Sequence, residues 1–157
     1  MFFAPTLYIL MKQDQISQMY VYNETVKFVD TIRNNGYVTT DLYERYLAAL
    51  DQTNQVYQVE FEHIHEQFVP VVDSGLYLIS GQYQLVQKKM YTKDIVSVLT
   101  EQESATYYFA KGDYLTIKVT NVNETLGGRM LRVFLRNQKE GGQINLSYGG
   151  MIRDENY

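Results

Sequence analysis

One cluster in the sequence carries the side chains of metal or acid–base chemistry: Glu62-His63-Ile64-His65-Glu66. Imidazoles and carboxylates together can hold a divalent cation, and a histidine can move a proton near neutral pH. The spacing argues against both. Tyr57, Val59, Phe61 and His63 alternate with Gln58, Glu60, Glu62 and Ile64, which is the period of a half-buried strand. On a strand His63 and His65 share one face and Glu62 and Glu66 the other, so the four do not easily converge. The expectation is an exposed or edge-strand pair of histidines, with no metal ligand and no catalytic residue assigned.

Other chemistry is thin. There is no glycine-rich phosphate loop, no zinc-protease helix motif and no nucleophile elbow around any serine. The absence of cysteine excludes disulfides, thiolate catalysis and cysteine-ligated zinc. Asn23-Glu24-Thr25, Asn123-Glu124-Thr125 and Asn145-Leu146-Ser147 match the glycosylation sequon, but so short a pattern arises by chance. Arg129, Arg132 and Arg136 stand at helical spacing and form a basic stripe. Glu60, Glu62 and Glu66 form an acidic one on a strand. Either these are two solvated faces or they are complementary halves of a head-to-tail interface.

The elements that position these residues begin with Met1 to Asn35, which reads as one long helix. Met1 to Met11 is almost wholly apolar. Ile16, Met19, Tyr22, Val26, Val29 and Ile32 then recur at spacings of three and four. Asn34-Asn35-Gly36 is a stop, with Gly36 free to turn left-handed. Eleven apolar residues fall short of the about 20 that span a bilayer. There is no basic n-region and no cleavage site of a signal peptide. Pro5 is tolerated near a helix start. Three readings stand: a helix start tucked into its own core, a stalk buried against neighbouring subunits or a membrane, or a chain whose precursor had residues before Met1.

A second helix is expected from Thr40, as its N-cap, to Asp51 or Gln52, with Leu42, Tyr46, Leu47 and Leu50 as its apolar stripe. The strand beginning near Gln55 is expected to end by Glu66, with Pro70 and Asp73-Ser74-Gly75 marking a break. A hairpin follows, Leu76 to Ile79, a Ser80-Gly81 turn, then Gln82 to Met90. Thr92 caps a short helix with Ile95, Val96 and Leu99 on its apolar side. Ala105 to Phe109 is a short strand, Ala110 to Asp113 a turn, and Tyr114 to Val122 the cleanest strand of the chain. A last helix is expected near Thr125 to Asn137. A final strand, Gln143 to Tyr148, is followed by Gly149-Gly150 and a polar tail. The fold class is therefore α+β: a stalk helix over 1–36 and a compact head over 37–157, with a mainly antiparallel sheet and short helices.

The totals agree with one domain of 157 residues. A net charge of -4 argues against a nucleic-acid partner. Charge is uneven: seven acids against one arginine lie between Asp41 and Asp73. Fifteen tyrosines with no tryptophan suit half-buried strands and interfaces.

Three segments together resemble a known group. They are Phe28 to Gly36 with Val38 to Glu44 and Leu50-Asp51; Lys111-Gly112-Asp113-Tyr114-Leu115-Thr116-Ile117-Lys118-Val119 with Asn121 and Asn123; and Ser147-Tyr148-Gly149-Gly150-Met151-Ile152-Arg153-Asp154-Glu155. The chain resembles small Gram-positive bacterial proteins found with Tad-like or type IV-like pilus systems, pilin-like or pseudopilin-like subunits with an anchoring N-terminal helix and a compact head. A prepilin leader and a glutamate near the processed N-terminus are not seen here, where Pro5 stands instead. The resemblance implies an extracellular or envelope-attached structural subunit with no enzymatic activity. It implies partners that are copies of itself, a membrane or other pilus components, and no cofactor. On that reading Phe2, Phe3, Tyr8, Met11, Met19 and Tyr22 contact other subunits, with Arg129, Arg132 and Arg136 as the polar part. The other readings are a self-contained binding or adaptor domain on the cell envelope, a metal-dependent enzyme using His63 and His65, and a virion or conjugation component.

Overall fold

A computed structural model describes residues 3–72, 79–101, 104–123 and 144–155. The protein is α+β: a long N-terminal helix followed by a head of antiparallel sheets and short helices. Helix α1 (Phe3–Asn35) is 33 residues long, about 50 Å at 1.5 Å per residue. It ends as expected. Gly36 has φ 77° and donates its N–H to Ile32 O at 2.8 Å. The carbonyls that the helix end leaves over are taken by the distant C-terminal tail: Arg153 N–H bonds Arg33 O and Glu155 N–H bonds Asn34 O, both at 2.8 Å.

Strand β1 (Tyr37–Thr39) was not anticipated from the sequence. It pairs antiparallel with β4 (Thr106–Tyr108) as a small separate sheet. Helix α2 (Thr40–Asp51) is capped one residue earlier than expected. Thr39, not Thr40, accepts the Leu42 N–H, and the Thr40 hydroxyl bonds Leu99 O at 2.8 Å instead. Helix α3 (Thr92–Glu101) begins at Thr92 itself. The Thr92 hydroxyl accepts the Phe61 N–H at 2.8 Å, and Asp94 Oδ2 accepts the Tyr91 N–H.

The main sheet has the order β3-β2-β5-β6, built of β2 (Tyr57–Val72), β3 (Ile79–Tyr91), β5 (Tyr114–Asn121) and β6 (Asn145–Met151). Two expectations at the hairpin are corrected. Pro70 does not break the strand: β2 runs through it to Val72, with only a register irregularity there. Such a place suits proline, because a ladder N–H is dispensable at an irregularity or an edge. Ser80 and Gly81 lie inside β3 and are not a turn. Gly149 and Gly150 likewise lie within β6 rather than leading out of it. The expected helix near 125–137 lies outside the described residues.

The alternation read in the sequence sets the core face of the sheet: Val59, Phe61 and His63 from β2, and Leu115, Ile117 and Val119 from β5, are all buried. The C-terminal half of α1 covers this face with Val21, Thr25, Phe28, Val29 and Ile32. This corrects the helix stripe. Val29 and Ile32 belong to the buried face, but Ile16, Met19 and Tyr22 do not. Phe28 stacks on Tyr46 of α2 with centroids 4.2 Å apart and meets Phe61 edge-on. Thr25 donates to Val21 O at 2.7 Å, so the Tyr46 hydroxyl, 2.8 Å away, donates to Thr25 Oγ1. Burial of that phenol pushes it up to about 12, against the opposing pull of the Thr25 bond.

Candidate functional site

The expectation of an exposed or edge-strand pair is corrected for His63; His65, its side chain 34% accessible, sits one residue beyond the last β2–β5 pair at Ile64. β2 is an inner strand, and His63 is only 3% accessible. Both rings converge on Asp113, the last residue of the Ala110 to Asp113 turn expected from the sequence. His63 Nε2 lies 2.7 Å from Asp113 Oδ2 and His65 Nδ1 lies 2.6 Å from Asp113 Oδ1. The Ala110 N–H adds a third donor to the same carboxylate at 2.8 Å. On the far side of His63, the Tyr107 hydroxyl lies 2.9 Å from Nδ1 and 3.2 Å from Met90 Sδ. Phe109 packs edge-on against the His63 ring at 4.7 Å.

The electrostatics follow from this enclosure. Burial pushes the Asp113 carboxyl up, but the bonds from His65, His63 and Ala110 and the charge at His63 outweigh it, holding it below its ordinary value. Burial pushes the Tyr107 phenol up to about 12, with Asp94 and Asp113 adding to the effect. Among the described residues no three His, Asp or Glu side chains form a metal-holding group. Among the described residues, the side-chain partners of the two imidazoles are Asp113 and Tyr107, with no serine or threonine hydroxyl. The cluster ties β2, β4 and the turn before β5 together, a cross-brace made of polar groups that satisfy one another. Asp113 was legible in one respect: it falls in step with Leu115, Ile117 and Val119, the buried parity of the strand.

The acidic stripe lies on the opposite, solvent-facing side of the sheet. Glu60 stands across from Lys118 in the β2–β5 register, and Glu62 Oε1 is 3.8 Å from Lys89 Nζ. Glu60, Glu62, Lys93, Asp94 and Lys118 line a shallow hollow of about 810 Å³ in which the two signs of charge are interspersed. Arg129, Arg132 and Arg136 lie outside the described residues, as does Phe2; of Phe3 only the helical backbone is described.

The remaining candidates stand on α1. From Ala4 to Tyr20 no residue of the helix is buried, a length of about 25 Å. Val21 is the first core residue among those whose burial is described. Tyr8 (63% accessible), Met11, Met19 (66%) and Tyr22 are all exposed. Their spacings of three, eight and three put them on one side of the helix, and Ile9 and Ile16 extend the apolar surface. Tyr22 is where this stripe meets the head, its ring edge-on to Tyr148 of β6 at 6.3 Å. No described helix is long and apolar enough to cross a membrane.

The segments that carry the pilin-like resemblance meet at one place. Arg33 at the end of α1 donates from Nε to Met151 O and pairs with Asp30, its guanidinium lying over Gly150. Gly112 N–H bonds Ile152 O at 3.0 Å, and Ile152 N–H bonds Asp113 O at 2.7 Å. Comparison with protein-family models, curated proteins and solved structures finds no match.

Proposed function

We propose that this chain is a pilin-like structural subunit of an extracellular or envelope-attached filament or its assembly machinery, and that it polymerises through its N-terminal helix. The observation that carries this reading is the surplus length of α1: seventeen consecutive residues, 4–20, contribute nothing fully buried to the head, yet include Leu7, Tyr8, Ile9, Leu10, Met11, Ile16 and Met19. Isolated apolar side chains on a surface are ordinary. A contiguous stripe is what an interface leaves bare.

Magnitudes set what such a stripe can do. Fully burying one Leu, Ile or Met side chain is worth about 1.5–3 kcal/mol, so five together supply on the order of 10 kcal/mol. Association itself costs about 4–15 kcal/mol in lost freedom. The stripe therefore sustains assembly only when neighbouring copies cover most of it at once. The buried His63–Asp113 brace and the anchored end of α1 support the reading by making the head a rigid base for the projecting helix.

Electron microscopy and sedimentation of the purified chain test it. The expected result is concentration-dependent oligomers or filaments, lost in a Tyr8→Glu/Met19→Glu variant whose circular dichroism and melting temperature match wild type. A chain that stays monomeric at high concentration, with residues 4–20 protected from hydrogen exchange, overturns the reading.

A further inference from the structure

We propose that the receiving surface for the projecting half of α1 is the outer part of the β2–β3 pair, residues 66–71 and 82–89, on a second copy of this chain, an inference that rests on assembly through α1. β5 pairs with β2 only from Tyr57 to Ile64; beyond that point the strand paired with β2 among the described residues is β3. Residues 66–71 and 82–89 are all exposed, so the pair leaves the sheet as a two-stranded arm. A lone two-stranded ribbon is marginal in water, and this one shows apolar side chains on both faces. Phe68 pairs with Leu85 and Pro70 with Tyr83 on one face; Val69 and Val86 point to the other. Phe68 and Tyr83 are 69% and 68% accessible. Edge ribbons are ordinarily protected by charge, yet 67–72 and 79–87 contain no charged residue.

The helix carries a matching pattern. Residues 3–11 are uncharged, and the first charge is Lys12. Reading back along the arm from its uncharged part, the first charge on β2 is Glu66. Tyr8 and Lys12 share a helix side, with Lys12 Nζ 5.6 Å from the Tyr8 centroid; four residues of helix separate them by about 6 Å. Phe68 and Glu66 share a face of the arm, two strand residues or about 6.7 Å apart. The two surfaces thus have the same layout, an aromatic followed one step later by a charge, and the charges are opposite. Among the described residues neither charge meets an opposite one: Lys12 meets only the Tyr8 ring, and Glu66 accepts only the Gln87 amide at 2.8 Å. Tyr8 and Met11 seated on Phe68 and Leu85 bring Lys12 onto Glu66. Because the helix and the arm are different surfaces of one molecule, the contact is heterologous, and it repeats head to tail into an open chain.

The absence of cysteine makes the test direct. Full-length Lys12→Cys and Glu66→Cys proteins are mixed and oxidised under assembly conditions. The expected product is the mixed disulfide, at least about tenfold over either homodimer, since a disulfide forms only where the Cα atoms come within about 7 Å. Charge exchange is the second arm. Lys12→Glu and Glu66→Lys each raise the concentration needed for assembly by about three- to tenfold, and the double variant restores it. Predominant Lys12→Cys homodimers, or assembly indifferent to all these changes, overturn the arm as the receiver while leaving assembly through α1 intact. Failure of the wild-type chain to assemble at all overturns both.

Discussion

His63 Nε2 and Asp113 Oδ2 stand 2.7 Å apart across fifty positions of chain, both nearly sealed from solvent. This contact joins the strand that leads into the β2–β3 arm to the turn that begins β5. Removing one partner of a buried hydrogen bond leaves the other unsatisfied, at about 1–3 kcal/mol. Asp113→Asn and His63→Ala are therefore expected to lower stability by that order in urea unfolding. Loss of less than about 1 kcal/mol in both would show that the brace carries no load.

The same carboxylate sets an acid limit. Its folded-state value lies below its ordinary 3.8. It therefore contributes stability that is fully present above the ordinary carboxylate range and lost as pH falls through the lower folded value. Unfolding followed from pH 6 down to pH 2 should show this loss in wild type, and a shallower slope in Asp113→Asn.

At the alkaline end the order reverses. Tyr46 is raised to about 12, so its neutral form is favoured by folding. Its contribution is complete below the ordinary phenol value of 10 and is lost as pH rises towards 12. Tyr46→Phe should lose stability at pH 8, where the hydroxyl bond to Thr25 is forfeited, and lose less than wild type between pH 10 and 12. Equal alkaline slopes would contradict the assignment.

Gly149 and Gly150 mark where strand and helix end come too close for a side chain. A methyl group on Gly149 would stand 2.4 Å from Leu115 O, which is backbone and cannot give way. On Gly150 it would stand 2.7 Å from the Arg33 guanidinium, a side chain held by Met151 O and Asp30. Gly149→Ala is expected to cost more than Gly150→Ala, about 3 kcal/mol or above against about 1–2. Thermal unfolding of the two variants measures the order, and a reversed order would be contrary to the geometry.

Deleting residues 1–11 separates the helix from the head. None of the described ones is buried, so the truncated chain should keep the melting temperature of the full one to within a few degrees. Phe28→Ala, by contrast, removes the ring stacked on Tyr46 and should cost about 3–5 kcal/mol. A head that unfolds on the deletion would mean that the helix start belongs to its own core.

Periodicity alone determined the α+β class, the long first helix with its Gly36 stop, and the inward face of Tyr57 to His63 and of Leu115 to Val119. These are local consequences of side-chain spacing and glycine geometry, which act within a few residues of chain. The tertiary structure decided the rest. Which side of α1 is covered depends on where the sheet lies, so Met19 and Tyr22 fell outside a stripe that held Val29 and Ile32. Pro70 stayed in a strand because the arm gives it an irregular, exposed place. Asp113 came to His63 and His65 because pairing of β2 with β5 brings positions fifty residues apart to one point, and no local pattern records a partner at that distance.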